Sequence, residues 1–468
     1  MKILSKDFFS RFRLGDAGFL DNIRYENGVL LLGGWSVCKN EEPYQRPQKI
    51  HVVYGDRFIG EITNFAADRP DVAKAFAGFP LECGFSEKIY FACEEFEPLL
   101  TELFAESGNG NIYQLHKDQK YTFLFQLEPT GKCNLRCAQC PNTVYSGFNN
   151  RDISEEDIDA VSDMIRKSST ICYDGFGEFF LSRNIHKALE KTPLRSHVIV
   201  HTNGMLLDKN YDLVLNNAPP LRQLIVSLDS LREDRYGVIR EGGSLWHVLA
   251  NMRGLKKRRD RLGRTLPYIV PNMKIMNLNF DEFEDFIDLA AEFDSYLELV
   301  YLYDARKMSG SPEEDGLLAY EKQQPRFHSR QIATAVERAM EYARGKGVCI
   351  VWSGACPEPI RGTKDENDYI GTRRPIYECP MADCSTAMQL DGKIMFCVWQ
   401  TSPLFNWRVE ETTDLQRHPR AVRARAMIKK GIIPHECSGA CCQFVGREIS
   451  LENNNSCGNE VYSGGWQA

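Results

Sequence analysis

The sequence predicts an α/β protein built of three parts, with a partial (β/α)6 barrel in the middle. In the central region, strand-like apolar runs alternate with amphipathic segments, the pattern of successive βα units. The first hundred residues are rich in strand-like runs, which predicts a β-rich, sandwich-like N-terminal domain. Cysteines crowd the last part of the chain, which predicts a cysteine-rich C-terminal domain. The predicted divisions are residues 1–105, 118–305, 306–350 (a loop and a helix forming a linker) and 351–468.

The N-terminal region carries the strand-like runs GVLLLGGWSV, KIHVVYGDRFIGEIT and GFSEKIYFACE, with a helical run, ADRPDVAKAFAGF, between them. Its phrases GGWSV, RFIGE and RPDVAKAF resemble a small β-sandwich module that accompanies bacterial enzymes of surface-polysaccharide and glycan assembly. The resemblance implies a glycan-related accessory domain. Trp35 would face a glycan if it were exposed, but tryptophan is more often found in a core.

The run KCNLRCAQCPN places three cysteines, Cys133, Cys137 and Cys140, in one short loop. A four-iron cluster is normally held by four cysteine thiolates, so three of them leave one iron open to a small molecule. The alternative is a structural zinc site, which needs a fourth ligand nearby. The next cysteine, Cys172, stands in an apolar run, which favours the iron cluster.

This CxxxCxxC spacing, just after a strand-like run at 121–128, resembles the radical S-adenosylmethionine (SAM) superfamily. The resemblance implies a [4Fe–4S] cluster whose open iron binds SAM and whose electron cleaves it to a 5'-deoxyadenosyl radical. It also implies a reducing partner such as flavodoxin or ferredoxin. One residue departs from the pattern, because Gln139 stands where an aromatic residue usually precedes the last cysteine.

The barrel is predicted from its helix and strand signals. Ser154, followed by three acidic residues, is a favourable helix start, and the helix is expected to reach about Lys167. Ligands bind at the C-terminal ends of parallel barrel strands, so the residues there are the candidate site. The expected strands are 121–128, 171–176, 197–202, 223–228, 268–275 and 296–302.

Resemblance to the family assigns SAM contacts to residues at three of these strand ends. The predicted SAM-binding residues are Gly175, Gly177 and Glu178 for the amino group, Thr202 for the ribose, Ser227 for the carboxylate, and Arg240 as a charge partner. The carboxylate of Glu178 is expected to be exposed in the cavity. Each motif alone is more often an ordinary turn, and their order along the chain gives them weight.

No catalytic acid or base is assigned by the sequence. Tyr303 and Asp304 follow the sixth predicted strand and are candidates by position alone. Cys356 is a candidate hydrogen-atom donor to a substrate radical, although a packing role is the commoner one for such a cysteine.

The C-terminal run YECPMADCSTAMQLDGKIMFC predicts a hairpin at Asp391-Gly392 between two apolar runs. Its cysteines around a hairpin resemble the SPASM or twitch extension of radical SAM enzymes, which implies at least one auxiliary iron–sulfur cluster. The predicted ligands are Cys379, Cys384, Cys397 and Cys441, with Cys437 as a further candidate. A zinc ribbon using Cys379, Cys384, Cys437 and Cys441 is the alternative.

Composition limits the partners. With 57 Lys and Arg against 64 Asp and Glu, the net charge of −7 gives no global attraction for nucleic acid. No apolar run has the length of a membrane span, and no export signal opens the sequence, so a cytoplasmic location is expected.

Three functions are compatible with these motifs. The first is a radical SAM enzyme that abstracts hydrogen from a carbohydrate-like or polyol substrate for oxidation or epimerisation, which the N-terminal resemblance favours. The second is modification of a peptide or protein side chain. Sulfatase maturation is disfavoured within this class, because Val398 stands where those enzymes carry Asp after the cysteine that Cys397 matches. The third is a non-catalytic iron–sulfur scaffold.

Overall fold

A computed structural model describes residues 3–13, 17–38, 44–76, 79–144, 150–217, 219–302, 323, 329–353, 379–397, 403–430 without 413 and 416, and 434. The strands are β1 Gly18–Glu26, β2 Val29–Ser36, β3 Lys49–Tyr54, β4 Arg57–Ile62, β5 Ala67–Asp68, β6 Glu82–Tyr90, β7 Thr101–Glu106, β8 Ile112–Gln114, β9 His116–Lys117, β10 Leu124–Leu127, β11 Thr170–Tyr173, β12 His197–Thr202, β13 Leu221–Ser227, β14 Tyr268–Ile275, β15 Leu297–Tyr301, β16 Ile350–Ser353, β17 Ser385–Met388, β18 Lys393–Met395 and β19 Phe405–Asn406. The α-helices are α1 Pro70–Ala75, α2 Pro141–Val144, α3 Glu155–Ala160, α4 Ser162–Lys167, α5 Ile185–Lys191, α6 Tyr211–Asn216, α7 Glu233–Ile239, α8 Leu245–Arg261, α9 Phe283–Glu292, α10 Ser329–Lys346, α11 Pro380–Cys384, α12 Trp407–Glu410 and α13 Pro419–Lys429. Short 3-10 helices lie at Lys6–Arg11, Pro98–Leu100, Gln119–Tyr121, Phe179–Leu181, Leu207–Lys209 and Phe280–Glu282.

The N-terminal region consists of two sheets, in the order β5-β6-β2-β1-β9 and β4-β3-β7-β8. Alternate side chains from both sheets, such as Leu32, Val52 and Leu103, share one buried core. This confirms the predicted β-rich region. Trp35 is only 8% exposed and packs near the rings of Phe76 and Phe79, so it belongs to the core and does not present a glycan-binding face.

The central sheet runs in the order β16-β15-β14-β13-β12-β11-β10-β17-β18-β19. The six predicted barrel strands, β10 to β15, are all present and pair in parallel. Two further strands extend this parallel array, β16 beside β15 and β17 beside β10. The mixed α/β fold with several sheets is therefore confirmed, and its barrel-like array is wider than the sequence predicted.

Strand alternation separates two layers of the barrel. On β12, Val198 and Val200 face the outer helices, while Ile199 belongs to a second apolar cluster that fills the interior. The interior cluster draws one side chain from each of several strands, and these are Leu124, Cys172, Ile199, Ile225, Val270 and Val351. Side chains two positions further along the strands face the same interior, nearer the C-terminal ends.

The predicted helix at 154–167 begins where expected. The Ser154 hydroxyl accepts the Asp157 backbone N–H at 3.1 Å, and the Asp157 carboxylate accepts the Ser154 backbone N–H at 3.2 Å, which forms a capping box. The segment is interrupted, however, because Val161 leaves the helical conformation between α3 and α4.

The N-terminal region packs against the end of the barrel where the strands begin. Lys117 Nζ donates to Ser169 Oγ, just before β11, at 3.3 Å, and the Arg195 backbone N–H, before β12, donates to Asp56 Oδ1 at 3.2 Å. The Arg222 guanidinium, at the start of β13, lies 4.8 Å from the centre of the Phe9 ring. This module therefore lies at the end opposite the strand C-termini.

The predicted C-terminal hairpin is confirmed. β17 and β18 pair antiparallel, and Gly392 in the turn has a φ of +83°, a conformation that glycine adopts without strain. β18 then leads back towards the end where β17 begins. None of the helices in the described ranges is long and apolar enough to cross a membrane.

Candidate active site

The three-cysteine loop follows β10 at the C-terminal end of the barrel. Its backbone is fixed by the last residue of α7 and the chain just after it, because the Ala138 N–H donates to the Ile239 carbonyl at 3.0 Å and the Arg136 N–H to the Glu241 carbonyl at 2.9 Å. The loop cysteines line a cavity of about 210 Å³ together with residues from the neighbouring strand ends.

The surroundings of the sulfurs suit an iron–sulfur cluster. Burial raises the pKa of Cys133, and it raises the pKa of Cys140 to about 12, so bound metal must displace these thiol protons. Asn203 Nδ2 lies 3.9 Å from Cys133 Sγ, and Arg240 Nη1 lies 3.8 Å from Cys137 Sγ. Among the described residues no fourth cysteine lines the cavity, so the donor set fits a cluster with one open iron.

The predicted glycine–glutamate motif forms the rim beside the loop. A Cβ on Gly177 would overlap the Thr130 carbonyl oxygen, and one on Gly175 would overlap the side chain of Glu128. Both positions therefore need glycine, because the backbone approaches its neighbours too closely for any side chain.

Glu178 lines the cavity but is only 1% exposed, so the expectation of an exposed carboxylate was wrong. Its Oε1 accepts the Thr202 hydroxyl at 2.6 Å, and its Oε2 accepts the Asn203 backbone N–H at 2.8 Å. Burial raises the pKa of Glu178, although these two hydrogen bonds favour the carboxylate. Glu178 thus ties the second strand end to the third, and its contact with SAM stays a prediction, as does that of Thr202.

A hydrogen bond to Asp229 accounts for Gln139, which stands where an aromatic residue usually precedes the last cysteine of the loop. Gln139 Nε2 donates to Asp229 Oδ2 at 2.7 Å, and Arg240 Nη2 donates to the same oxygen at 2.6 Å. Asp229 also accepts the Lys274 backbone N–H at 2.8 Å and has a φ of +63°. The departure from an aromatic residue therefore belongs to a buried polar network that positions Arg240 beside Cys137.

Several polar side chains that sequence reasoning did not single out also line the cavity. They include Gln126 on β10, Asp174 after β11, His201 on β12, and Asn272 and Lys274 on β14. Ser227, which was predicted, joins them from β13. The signal was present in the sequence, because each side chain continues the inward-facing alternation of its strand to the C-terminal end.

The predicted auxiliary ligands lie at the opposite end of the barrel. Cys384 directly precedes β17, and burial raises its pKa to about 11. Cys379 and Cys397 pack partly buried against the interior apolar cluster. Cys437 and Cys441 lie outside the described residues, so the complete ligand set stays a prediction. The catalytic candidates Tyr303, Asp304 and Cys356 also lie outside them.

Comparison with known proteins finds relatives that match only part of this chain. The chain is 28% identical to a GTP 3',8-cyclase of Clostridium perfringens over 196 residues, which are 40% of this chain and 58% of that protein. It is 27% identical to a probable GTP 3',8-cyclase of Methanocaldococcus jannaschii over 179 residues, 37% of this chain and 57% of that protein. The chain thus spans less than two thirds of the length of these curated relatives.

Among solved structures, Streptococcus suis SuiB bound to S-adenosylmethionine is similar at a TM-score of 0.48 and 14% identity, covering 65% of this chain and 68% of that one. The sequence model of the Radical SAM superfamily matches residues 127–290, the segment that contains the cysteine loop and the C-terminal ends of five strands around the cavity, β10 to β14. Residues 127–290 therefore form a domain of the radical SAM superfamily, whose members use a [4Fe–4S] cluster and SAM.

Proposed function

We propose that this protein is a radical SAM enzyme that abstracts a hydrogen atom from a small polyol or carbohydrate-like substrate held in the barrel interior. The observation that carries the proposal is the ring of polar side chains next to the three-cysteine loop. Asp174, His201 and Lys274 provide charged or ionisable groups, and Gln126 and Asn272 provide amides. A site with several hydrogen-bonding groups selects a polar substrate, because leaving such groups unpaired on an apolar ligand costs free energy.

The loop cysteines would hold the cluster, and the predicted SAM-binding residues at the neighbouring strand ends would hold SAM. When bound, these cofactors supply the 5'-deoxyadenosyl radical. Arg240 and Asn203 direct N–H groups at cysteine sulfurs, which stabilises their negative charge. The apolar cluster that closes the barrel interior below His201 excludes water from one side.

The N-terminal module gives no direct argument about the substrate. Its contacts to Ser169 and Arg195 lie at the opposite end of the barrel, away from the cavity. The glycan-related role of the N-terminal module and its boundaries at 1–105 stay predictions. The flavodoxin or ferredoxin reductant also stays a prediction.

The test is deuterium transfer. Anaerobically reconstituted full-length protein, reduced with dithionite, is incubated with SAM and one deuterated candidate at a time: a polyol, a sugar nucleotide, GTP or a peptide. The proposal expects deuterium in 5'-deoxyadenosine only with a polyol or sugar. Deuterium transfer from GTP would indicate the reaction for which the curated relatives are named, and transfer from a peptide would indicate side-chain modification; either result overturns the polyol assignment.

A further inference from the structure

Three side chains of different chemistry converge at the floor of the cavity, where Asp174 and His201 line it and Cys172 belongs to the interior apolar cluster. Cys172 and Asp174 lie two positions apart at the end of β11, and His201 lies on the neighbouring strand β12. The thiol sulfur, one carboxylate oxygen and one imidazole nitrogen all lie within 4.8 Å of one another. No hydrogen bond or ion pair joins any two of these groups in the described part of the chain.

This spacing leaves room for an atom between the groups. Ligands of a tetrahedral metal ion stand about 2.0–2.3 Å from the metal and do not contact one another directly. The donor set consists of one sulfur, one nitrogen and one oxygen atom. Such a mixed set favours zinc and related divalent ions, whereas magnesium and calcium favour oxygen ligands.

Next to these three side chains, the amide oxygen of Gln126 is a hydrogen-bond acceptor without a partner. Gln126 is 2% exposed, pairs in register with Cys172 across β10 and β11, and lines the cavity. Its Oε1 is buried without a hydrogen-bond partner. A buried amide oxygen without a partner costs free energy, which a bound ligand at this position would recover.

We propose that Cys172, Asp174 and His201 bind a divalent cation of the zinc class, with its fourth position open towards the cavity. Catalytic zinc sites have this composition, three protein ligands and one position for water or substrate. The site is separate from the three-cysteine loop and from Cys379, Cys384 and Cys397. Its role in the reaction rests on the proposed function: the open position would hold a substrate oxygen and orient the adjacent C–H bond.

The experiment uses full-length protein whose iron–sulfur clusters have been reconstituted anaerobically. The protein is equilibrated with micromolar Zn²⁺, passed through a desalting column and analysed for zinc and iron. Zinc K-edge X-ray absorption then reports the ligands, because zinc is observed separately from iron. We expect about one zinc per chain with one sulfur neighbour near ~2.3 Å and nitrogen or oxygen neighbours near ~2.0 Å.

Three conservative variants assign the zinc to this site. Cys172→Ser should lose the sulfur neighbour, and Asp174→Asn and His201→Gln should each weaken zinc binding at least tenfold, with iron content unchanged. Cys83→Ala, a buried cysteine of the N-terminal module, is the matched control and should retain zinc.

Absence of zinc from the wild-type protein, or equal zinc retention in all three variants, would overturn the site. Iron content and SAM cleavage are measured on the same samples. A protein that cleaves SAM and transfers deuterium from a polyol but binds no zinc would refute the metal site alone.

Discussion

Glu128, at the end of β10, accepts a hydrogen bond from the backbone N–H of Leu390, in the turn after β17, at 3.1 Å. Its other oxygen accepts the Phe176 backbone N–H at 3.0 Å, within the glycine–glutamate motif. One buried carboxylate therefore joins the predicted SAM-binding rim to the hairpin that precedes Cys397. These two hydrogen bonds of Glu128 connect the site around the three-cysteine loop to the C-terminal cysteine region.

The Glu128 contact predicts a pH-dependent stability. Burial raises its pKa from 4.5 to about 7, although the two backbone hydrogen bonds oppose the shift. Between these two values the folded protein holds a proton that the unfolded chain has released, so stability falls as pH rises through this range. A shift of this size corresponds to roughly 3 kcal/mol. Glu128→Gln, which cannot titrate, should remove that slope.

The measurement is anaerobic unfolding of the reconstituted wild type and variant between pH 4.5 and 8. The difference between the two proteins cancels the titration of other groups. Parallel pH profiles would show that folding does not raise the pKa of Glu128.

Gly177→Ala should damage the site more than its small size suggests. The added Cβ would overlap the Thr130 carbonyl oxygen, so the rim must move. We expect at least a tenfold loss of SAM affinity, measured by equilibrium binding to the reconstituted protein. Gly345→Ala on α10 is the matched control, because a Cβ there meets nothing within 4 Å and should stabilise the helix by up to ~1 kcal/mol. Equal SAM affinity in both variants would contradict the role of Gly177.

Asp229 and Arg240 should be strongly coupled. Removing one partner of a buried ion pair leaves an uncompensated charge and costs about 3–5 kcal/mol. Asp229→Ala and Arg240→Met should each be destabilising, and the double variant should be less destabilised than the sum of the two. A double-mutant cycle on the free energy of unfolding measures the coupling. Additive effects would mean that the two side chains do not interact as the structure shows.

The auxiliary cluster is tested by counting metals. With one auxiliary four-iron cluster besides the SAM cluster, the reconstituted chain should hold about eight irons. Replacing Cys384 and Cys397 by Ala should leave about four and make the C-terminal region more sensitive to protease. A wild type with four irons and a zinc lost on the same replacement would identify the zinc-ribbon alternative.

The sequence predicted those strands and turns whose own residues carry a strong strand or turn signal. The β-branched run HVIVHT gave the bounds of β12, and Asp391-Gly392 gave the hairpin. β17 was not predicted as part of the barrel sheet, because its four residues carry no local signal for pairing with β10, more than 250 positions earlier in the chain.

The same distinction between local signals and contacts of distant residues applies to the site. Motif order identified the loop cysteines and the rim glycines, whose roles depend on the backbone. Burial of Glu178 and the link from Asp229 to Gln139 depend on tertiary contacts that no local pattern contains. His201 was recoverable in principle, because strand alternation places it inward, but the sequence did not reveal how close it lies to Cys172.

SAM cleavage is the decisive measurement for the three-cysteine loop. Full-length protein is reconstituted anaerobically and reduced with dithionite, and 5'-deoxyadenosine is quantified by mass spectrometry beside a variant with Cys133, Cys137 and Cys140 replaced by Ala. We expect 5'-deoxyadenosine formation by the wild type and none by the variant, which should keep its auxiliary iron. Undiminished cleavage by the triple variant would contradict the assignment of the three-cysteine loop as the SAM-cleaving centre.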